Sequence, residues 1–285
     1  MKSSAIILAL ALLLTGCNLP LSKTAPAKTI VALPSPVESA VPPVTGAADQ
    51  FGEPTHESSA SAADTLPEEA ILILEPGPGS RLTSPVWIAG VSDPVFEQTL
   101  GVSIVLDDGT LLAIGSVRME AESGQRGNFA VDVPFDIEGE RQAFIQVFAF
   151  SPRDGGITHL NSVGVILTGS GTPDIKLVGP YSERISIRTP IPAEQIQGGV
   201  VHVEGFGLAS FEQTLLVEVQ DASGRVVGSS PVIVTAPDLG QPGPFSADIS
   251  YTVSESGRGR IVVRDISPAY GGNTHLASVE VSLLP

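Results

Sequence analysis

Phe96-Glu97-Gln98-Thr99-Leu100 recurs as Phe211-Glu212-Gln213-Thr214-Leu215, 115 positions later. The flanks repeat with it. Val86-Trp87-Ile88-Ala89-Gly90 lies over Val201-His202-Val203-Glu204-Gly205 at the same offset, and Gly127-Asn128-Phe129 over Gly243-Pro244-Phe245 at 116. Ser151-Pro152 with Gly155-Gly156 lies over Ser267-Pro268 with Gly271-Gly272, and Thr158-His159-Leu160 over Thr274-His275-Leu276. Markers kept in one order at a near-constant offset mean a duplicated domain.

Within each copy the apolar segments are short, rich in Val, Ile, Leu and Phe, and bounded by Gly, Pro, Asp and Ser, which is the pattern of strands. In the first copy they are 71–74, 86–91, 102–106, 111–116, 128–133, 142–150 and 162–167. In the second they are 175–178, 200–205, 215–219, 226–229, 245–251, 259–266 and 278–284. Asp107-Asp108-Gly109 and Ala222-Ser223-Gly224 read as hairpin turns, with glycine at the positive-φ position. Seven short strands per copy with no amphipathic helix predict an all-β fold of two tandem immunoglobulin-like β-sandwiches. The expected boundaries are 70–170 and 171–285, joined by a short linker at Gly169 to Pro173 as a bent or extended rod. Pro76 to Gly90 spans 14 positions and Pro180 to Gly205 spans 25, which predicts an insertion in the second copy around Ile187 to Gln197. Such an insertion maps to a loop tip, either functional or merely tolerated.

The N-terminal part is different material. Lys2, the apolar run Ala5 to Leu14 and Leu14-Thr15-Gly16-Cys17 form a secretory signal over 1–16. Leu-Thr-Gly-Cys resembles the lipobox of bacterial lipoproteins. That resemblance implies diacylation of Cys17, the single cysteine of the chain, as the mature N-terminus. Two or more acyl chains anchor a protein stably where one is marginal. With its only thiol lipidated, the chain has none left for disulfides or metal thiolates. Residues 17–69 are rich in Pro, Ala, Ser and Thr without apolar periodicity. They read as a disordered tether, with His56 solvated.

The residues of the repeat carry a family likeness. An opening apolar strand runs into Pro76-Gly77-Pro78-Gly79-Ser80. Ser84-Pro85 then precedes the Val-x-x-x-Gly strand, followed by Phe96-Glu97, the Asp-Asp-Gly turn, the Gly-x-Phe strand and a late Ser-Pro-x-x-Gly-Gly. Each copy resembles the immunoglobulin-like domain of bacterial spore germination proteins, the Gmad family, over about 70–170 and 175–285. The second copy departs at its start, with Gly179-Pro180-Tyr181-Ser182. The resemblance implies a β-sandwich outside the cytoplasmic membrane, often on lipoproteins, without known catalytic residues.

Candidate residues are few. Phe96 and Phe211 read as core aromatics, each followed by a Glu that bonds loop backbone; a shared ligand-binding corner is the rival reading. His159 and His275 hold equivalent places, but a metal centre needs further converging ligands, and Asp154 has no counterpart in the second copy, where Ala269-Tyr270 replaces Arg153-Asp154. They read as structural or edge histidines, with no metal and no cofactor expected. Asp107-Asp108-Gly109-Thr110 is a turn before it is a calcium loop. In the penultimate strand Ile145 and Val147 align with Ile261 and Val263, so that parity faces the core. The other parity then turns Phe144 and Phe148 outward, where the second copy has Arg260 and Arg264. Outward aromatics in a row make a candidate binding face, unless a loop or the neighbouring domain covers them.

No nucleophile elbow, phosphate loop, zinc motif or dinucleotide fingerprint occurs. A formal net charge of −16 excludes nucleic acid as a partner and opposes contact with anionic lipid except through the anchor. The expected protein is a non-catalytic envelope lipoprotein, lipid-anchored to a membrane, that binds a protein or a cell-wall polysaccharide. A structural spacer is the first alternative, and an enzyme with an unrecognised site the second.

Overall fold

The computed structural model describes residues 66–285. The signal segment, Cys17, His56 and most of the proposed tether lie outside the described residues. The first copy contains β1 (Ile71–Glu75), β2 (Arg81–Leu82), β3 (Val86–Ser92), β4 (Thr99–Leu106), β5 (Leu111–Arg118), β6 (Gly127–Val133), β7 (Glu140–Phe150) and β8 (Ile157–Thr168). The second contains β9 (Ile185–Thr189), β10 (Gln195–Ile196), β11 (Val200–Gly207), β12 (Thr214–Gln220), β13 (Val226–Ile233), β14 (Gly243–Ser250), β15 (Gly257–Ile266) and β16 (Asn273–Leu283).

Each copy is a sandwich of two sheets. Strands β1-β3-β6 face β8-β7-β4-β5 in the first, and β9-β11-β14 face β16-β15-β12-β13 in the second. Period-two patterning decides which side chains go in. On β3, Val86, Ile88 and Gly90 are buried and Trp87 is exposed; on β7, Ala143, Ile145, Val147 and Ala149 point into the core. Each sandwich has its own apolar core, centred on Ile88, Leu100, Ile104, Phe129 and Ile145 in the first and on Val203, Leu215, Val217, Phe245 and Ile261 in the second. The hairpin turns form as expected, with Gly109 at φ +86° and Gly224 at φ +81°. Arg141 reaches both Asp107 and Asp108 at 2.8 Å, so the acidic turn is satisfied by a guanidinium, which leaves the calcium reading without support.

The start of the second copy differs from the expectation. Its opening strand is β9, and residues 175–178 form no strand. Pro190 after β9 stands where Pro76 stands after β1, so the spacing to the next glycine is nearly equal and the inferred insertion disappears. The additional residues instead form a connection that runs back along the first copy. Arg81 and Asp174 exchange backbone hydrogen bonds, the Gly77 N–H donates to Lys176 O at 2.7 Å and the Val178 N–H donates to Leu74 O at 3.0 Å. The apolar residues Ile175, Leu177 and Val178 imitate a strand in sequence but accompany β1 and β2 from outside the sheet.

The arrangement of the copies also differs from an end-to-end rod. Strands β8 and β16 pair antiparallel through His275↔Asn161 and Leu276↔Leu160, giving one sheet in the order β13-β12-β15-β16-β8-β7-β4-β5. Leu160 and Leu276 are equivalent residues, so an internal pseudo-twofold passes between them. Side chains obey it: the Ser162 hydroxyl donates to Thr274 O and the Ser278 hydroxyl to Thr158 O, each at 2.7 Å.

This joint settles the place of Phe144 and Phe148. The parity reading holds, since both point away from their own core, but the face they make is not free. Phe148 is 6% exposed and packs with Leu160, Val262 and Leu276 at the joint. Phe144 is half-buried, its ring 5.2 Å from that of Tyr270. The neighbouring copy covers the stripe, so it is an internal contact in place of the expected exposed binding face.

Candidate functional site

Four side chains that sequence reading did not connect meet beside the joint. Glu69 directly precedes the strand-start at Ala70-Ile71, and His159 lies on β8. Their counterparts are Glu183, just before β9, and His275 on β16. His159 Nε2 is 2.8 Å from Glu69 Oε1 and 3.7 Å from Glu183 Oε1. His275 Nε2 is 3.0 Å from Glu183 Oε1 and 3.8 Å from Glu69 Oε2. The two imidazoles lie edge to face, 5.3 Å apart. Both carboxylates are oriented by backbone across the pseudo-twofold: the Ala70 N–H donates to Glu183 Oε2 at 3.0 Å and the Arg184 N–H to Glu69 Oε2 at 3.2 Å. The Glu69 N–H donates to Tyr181 O and the Glu183 N–H to Pro67 O, so the two entry segments run antiparallel and hold the glutamates face to face.

The cluster is nearly dry. Glu69 and His275 are 0% exposed and Glu183 7%. Burial pushes the Glu183 carboxyl up and the His275 imidazole down to about 3. Burial also works against a charge on His159, but its hydrogen bond to Glu69 and the field of Glu183 outweigh it and raise its pKa. Among the described residues these four are the group of His, Cys, Asp and Glu side chains whose ligand atoms lie close enough together to share an ion. The histidines are thus internal, and each partner comes from the far end of the repeat. Glu183 is hard to read from sequence because the apolar residues 175–178 imitate the opening strand of the second copy, which hides its equivalence to Glu69.

Next to His159 a cleft of about 720 Å³ opens between the copies. Phe96, Phe150, Arg153 and His159 line it from the first copy, and Arg258 and Glu280 from the second. Phe96 is 54% exposed and Phe211 48%. The expectation of core aromatics is therefore wrong for both. What recurs in the motif is backbone: Glu97, Gln98, Glu212 and Gln213 all have φ near +50°. They turn the chain so that Gln98 O accepts from the Met119 N–H and Gln213 O from the Val234 N–H, each at 2.7 Å.

A family model described as the immunoglobulin-like domain of bacterial spore germination, Gmad2, matches residues 70–156 and again 184–272. The chain belongs to this family. The second match begins at Arg184, where the structure starts its second sandwich. No curated protein matches the chain. Among solved structures, dimeric latent PorU from Porphyromonas gingivalis is 9% identical over 76% of this chain and 24% of that one, with a TM-score of 0.23. Bovine butyrophilin is 13% identical over 75% of this chain and 99% of that one, at 0.22. A chimeric titin Z1Z2 tandem is 12% identical over 75% and 98%, at 0.20. The chain spans less than a third of the first two solved structures matched.

The two Gmad2 repeats have diverged at this place. Ala70 and Ala149 border the cleft in the first; Arg184 and Asp265 occupy the equivalent positions in the second. Arg184 Nη2 donates to Asp265 Oδ2 at 3.0 Å, and Asp265 also accepts from the Ser210 N–H and hydroxyl and from the Thr274 hydroxyl. The ion pair fills the space that two methyl groups leave open. His275 is consequently sealed, whereas the His159 side chain keeps 15% exposure and borders the cleft. Among the described residues no helix is long and apolar enough to cross a membrane.

Proposed function

We propose that the protein is a non-catalytic lipoprotein of the bacterial envelope, anchored through Cys17, whose paired Gmad2 repeats form one rigid body that binds a protein or glycan partner in the cleft beside Phe96 and Phe150. The observation that carries this reading is the asymmetry of the duplication. One of two equivalent positions is filled by a buried ion pair, and the other is left open with two half-exposed aromatic rings at its edge. Exposed rings beside convergent polar groups are the usual makings of a recognition surface. Two charged groups of the cleft, Arg153 and Glu280, pair with one another at 2.7 Å, an arrangement that orients ligands better than it moves protons.

The test is retention of envelope components by the protein, read separately for peptidoglycan by co-sedimentation and for proteins by cross-linking. Phe96→Ser/Phe150→Ser is the cleft variant. Loss of a retained partner in a variant with unchanged circular dichroism supports the reading. If the wild type retains nothing, the spacer reading takes its place. That second reading draws on the continuous sheet through β8 and β16, which fixes the two repeats against each other.

A further inference from the structure

Glu69, His159, Glu183 and His275 bring donor atoms of four metal-ligating side chains together inside the molecule. Two carboxylates and two imidazoles converge where almost no water reaches. Metal ligation needs both imidazoles neutral, and with both carboxylates ionised the cluster then carries two negative charges; buried charge without a counter-charge is costly. The guanidinium of Arg184, whose backbone N–H bonds Glu69, is committed to Asp265. A divalent cation would bring the group to neutrality.

The geometry suits such an ion. The four ligand atoms lie within 4.8 Å of one another. With the Oε1 oxygens as ligands, the imidazole Nε2 to carboxylate separations are 2.8, 3.0 and 3.7 Å, and His275 Nε2 lies 3.8 Å from the other oxygen of Glu69. A tetrahedral ion with ligand bonds of about 2.0–2.1 Å has edges of roughly 3.3 Å, in the middle of that range, so small side-chain shifts would regularise the site. The donor set is chemically selective. Two imidazole nitrogens with two carboxylate oxygens suit zinc and its first-row neighbours, whereas magnesium and calcium prefer oxygen alone. The carboxylate half of a supporting shell is present, since the Ala70 and Arg184 N–H groups hold the second oxygen of each carboxylate and so aim the first, while His275 Nδ1 is buried without a hydrogen-bond partner. The cleft at His159 supplies an entrance.

We propose that Glu69, His159, Glu183 and His275 bind one divalent transition-metal cation, zinc fitting best, which staples the two repeats together at their pseudo-twofold. Each repeat contributes one glutamate and one histidine, so neither holds the ion alone.

The test uses the full chain, untagged, stripped with a chelator and titrated with zinc chloride, with magnesium chloride as the control. Bound zinc should approach one equivalent per chain, and the thermal midpoint should rise by about 5–10 °C at a hundredfold excess over Kd, with no response to magnesium. Cobalt loading should give the visible absorption of a tetrahedral ion. The chain has four histidines. His56→Ala and His202→Ala remove the two outside the cluster and should leave these signals intact, while Glu69→Gln and His159→Gln should weaken binding tenfold or more. Substoichiometric zinc with an unmoved midpoint in the wild type overturns the proposal, as does a signal lost in His202→Ala. Should the cluster variants fail to fold, the wild-type titration and the His202 control still decide.

Discussion

Glu97 and Glu212 are exposed residues held at φ +53° and +47°. A side chain there costs about 1–2 kcal/mol, because its Cβ crowds the following carbonyl. Glycine escapes that cost but loses more backbone freedom on folding. Glu97→Gly should therefore raise stability by about 0.5 kcal/mol, read as a higher urea midpoint at unchanged slope. A lower midpoint would mean that the glutamate side chain matters more than the backbone it sits on. The recurrence of Phe-Glu-Gln-Thr-Leu marked this position as special in the sequence, but not why. An aromatic in a repeated motif suggests a core, whereas the constraint here lies in carbonyls that reach Met119 and Val234, and residue identity says little about carbonyls. The late Gly-Gly is similar. Gly155 and Gly271 take φ near +70°, and a Cβ on Gly272 would stand 2.1 Å from the Tyr270 ring.

At the scale of strands and loops, the joint is symmetric in backbone and asymmetric in chemistry. Phe144 against Tyr270 occurs once, and the equivalent positions carry Arg260 against Asp154, at 3.1 Å. Arg260 is fully buried, and its remaining carboxylate partner is Glu280 at 2.9 Å. Asp154→Ala should cost about 3 kcal/mol by leaving part of that charge uncompensated. Asp154→Tyr with Arg260→Phe copies the other side of the twofold and should recover most of the loss; a double variant no better than Asp154→Ala would show that the two sides are not interchangeable. Acid should act on the same contact. Burial works against the charge on Asp154, but hydrogen bonds from the Gly156 N–H, Ser151, Arg260 and Arg153 hold its carboxyl well below the usual range. A carboxyl depressed in the folded state adds stability above its unfolded pKa of about 3.9, and that contribution fades as pH falls further. Unfolding free energy should thus drop more steeply below about pH 4 in the wild type than in Asp154→Asn. Equal slopes would remove Asp154 from the acid response. Strand parity was legible in the sequence, because Ile145 and Val147 match Ile261 and Val263. What covered the opposite parity was not, since that depends on a partner more than a hundred positions away.

Over the whole molecule, the duplication, both sandwiches and the hairpins could be read from apolar periodicity and glycine placement. The relation between the copies could not. It rests on two rungs between β8 and β16, on the connection laid along β1 and β2, and on glutamates whose partners sit at the opposite end of each repeat. Cut from its sibling, the first repeat would expose the edge of β8 together with Phe148 and Leu160. Residues 66–170 made alone should self-associate, with a sedimentation coefficient that rises with concentration, and Leu160→Glu should keep them monomeric. A monomer at every concentration with the edge intact would deny β8 this role. The twofold also has a consequence for dilution. A joint between separate chains comes apart when molecules become scarce. Here each half always meets its mate at an effective concentration of roughly millimolar, the range for short tethers. The cleft therefore keeps one shape at any abundance of the protein, so the shape is decoupled from expression level.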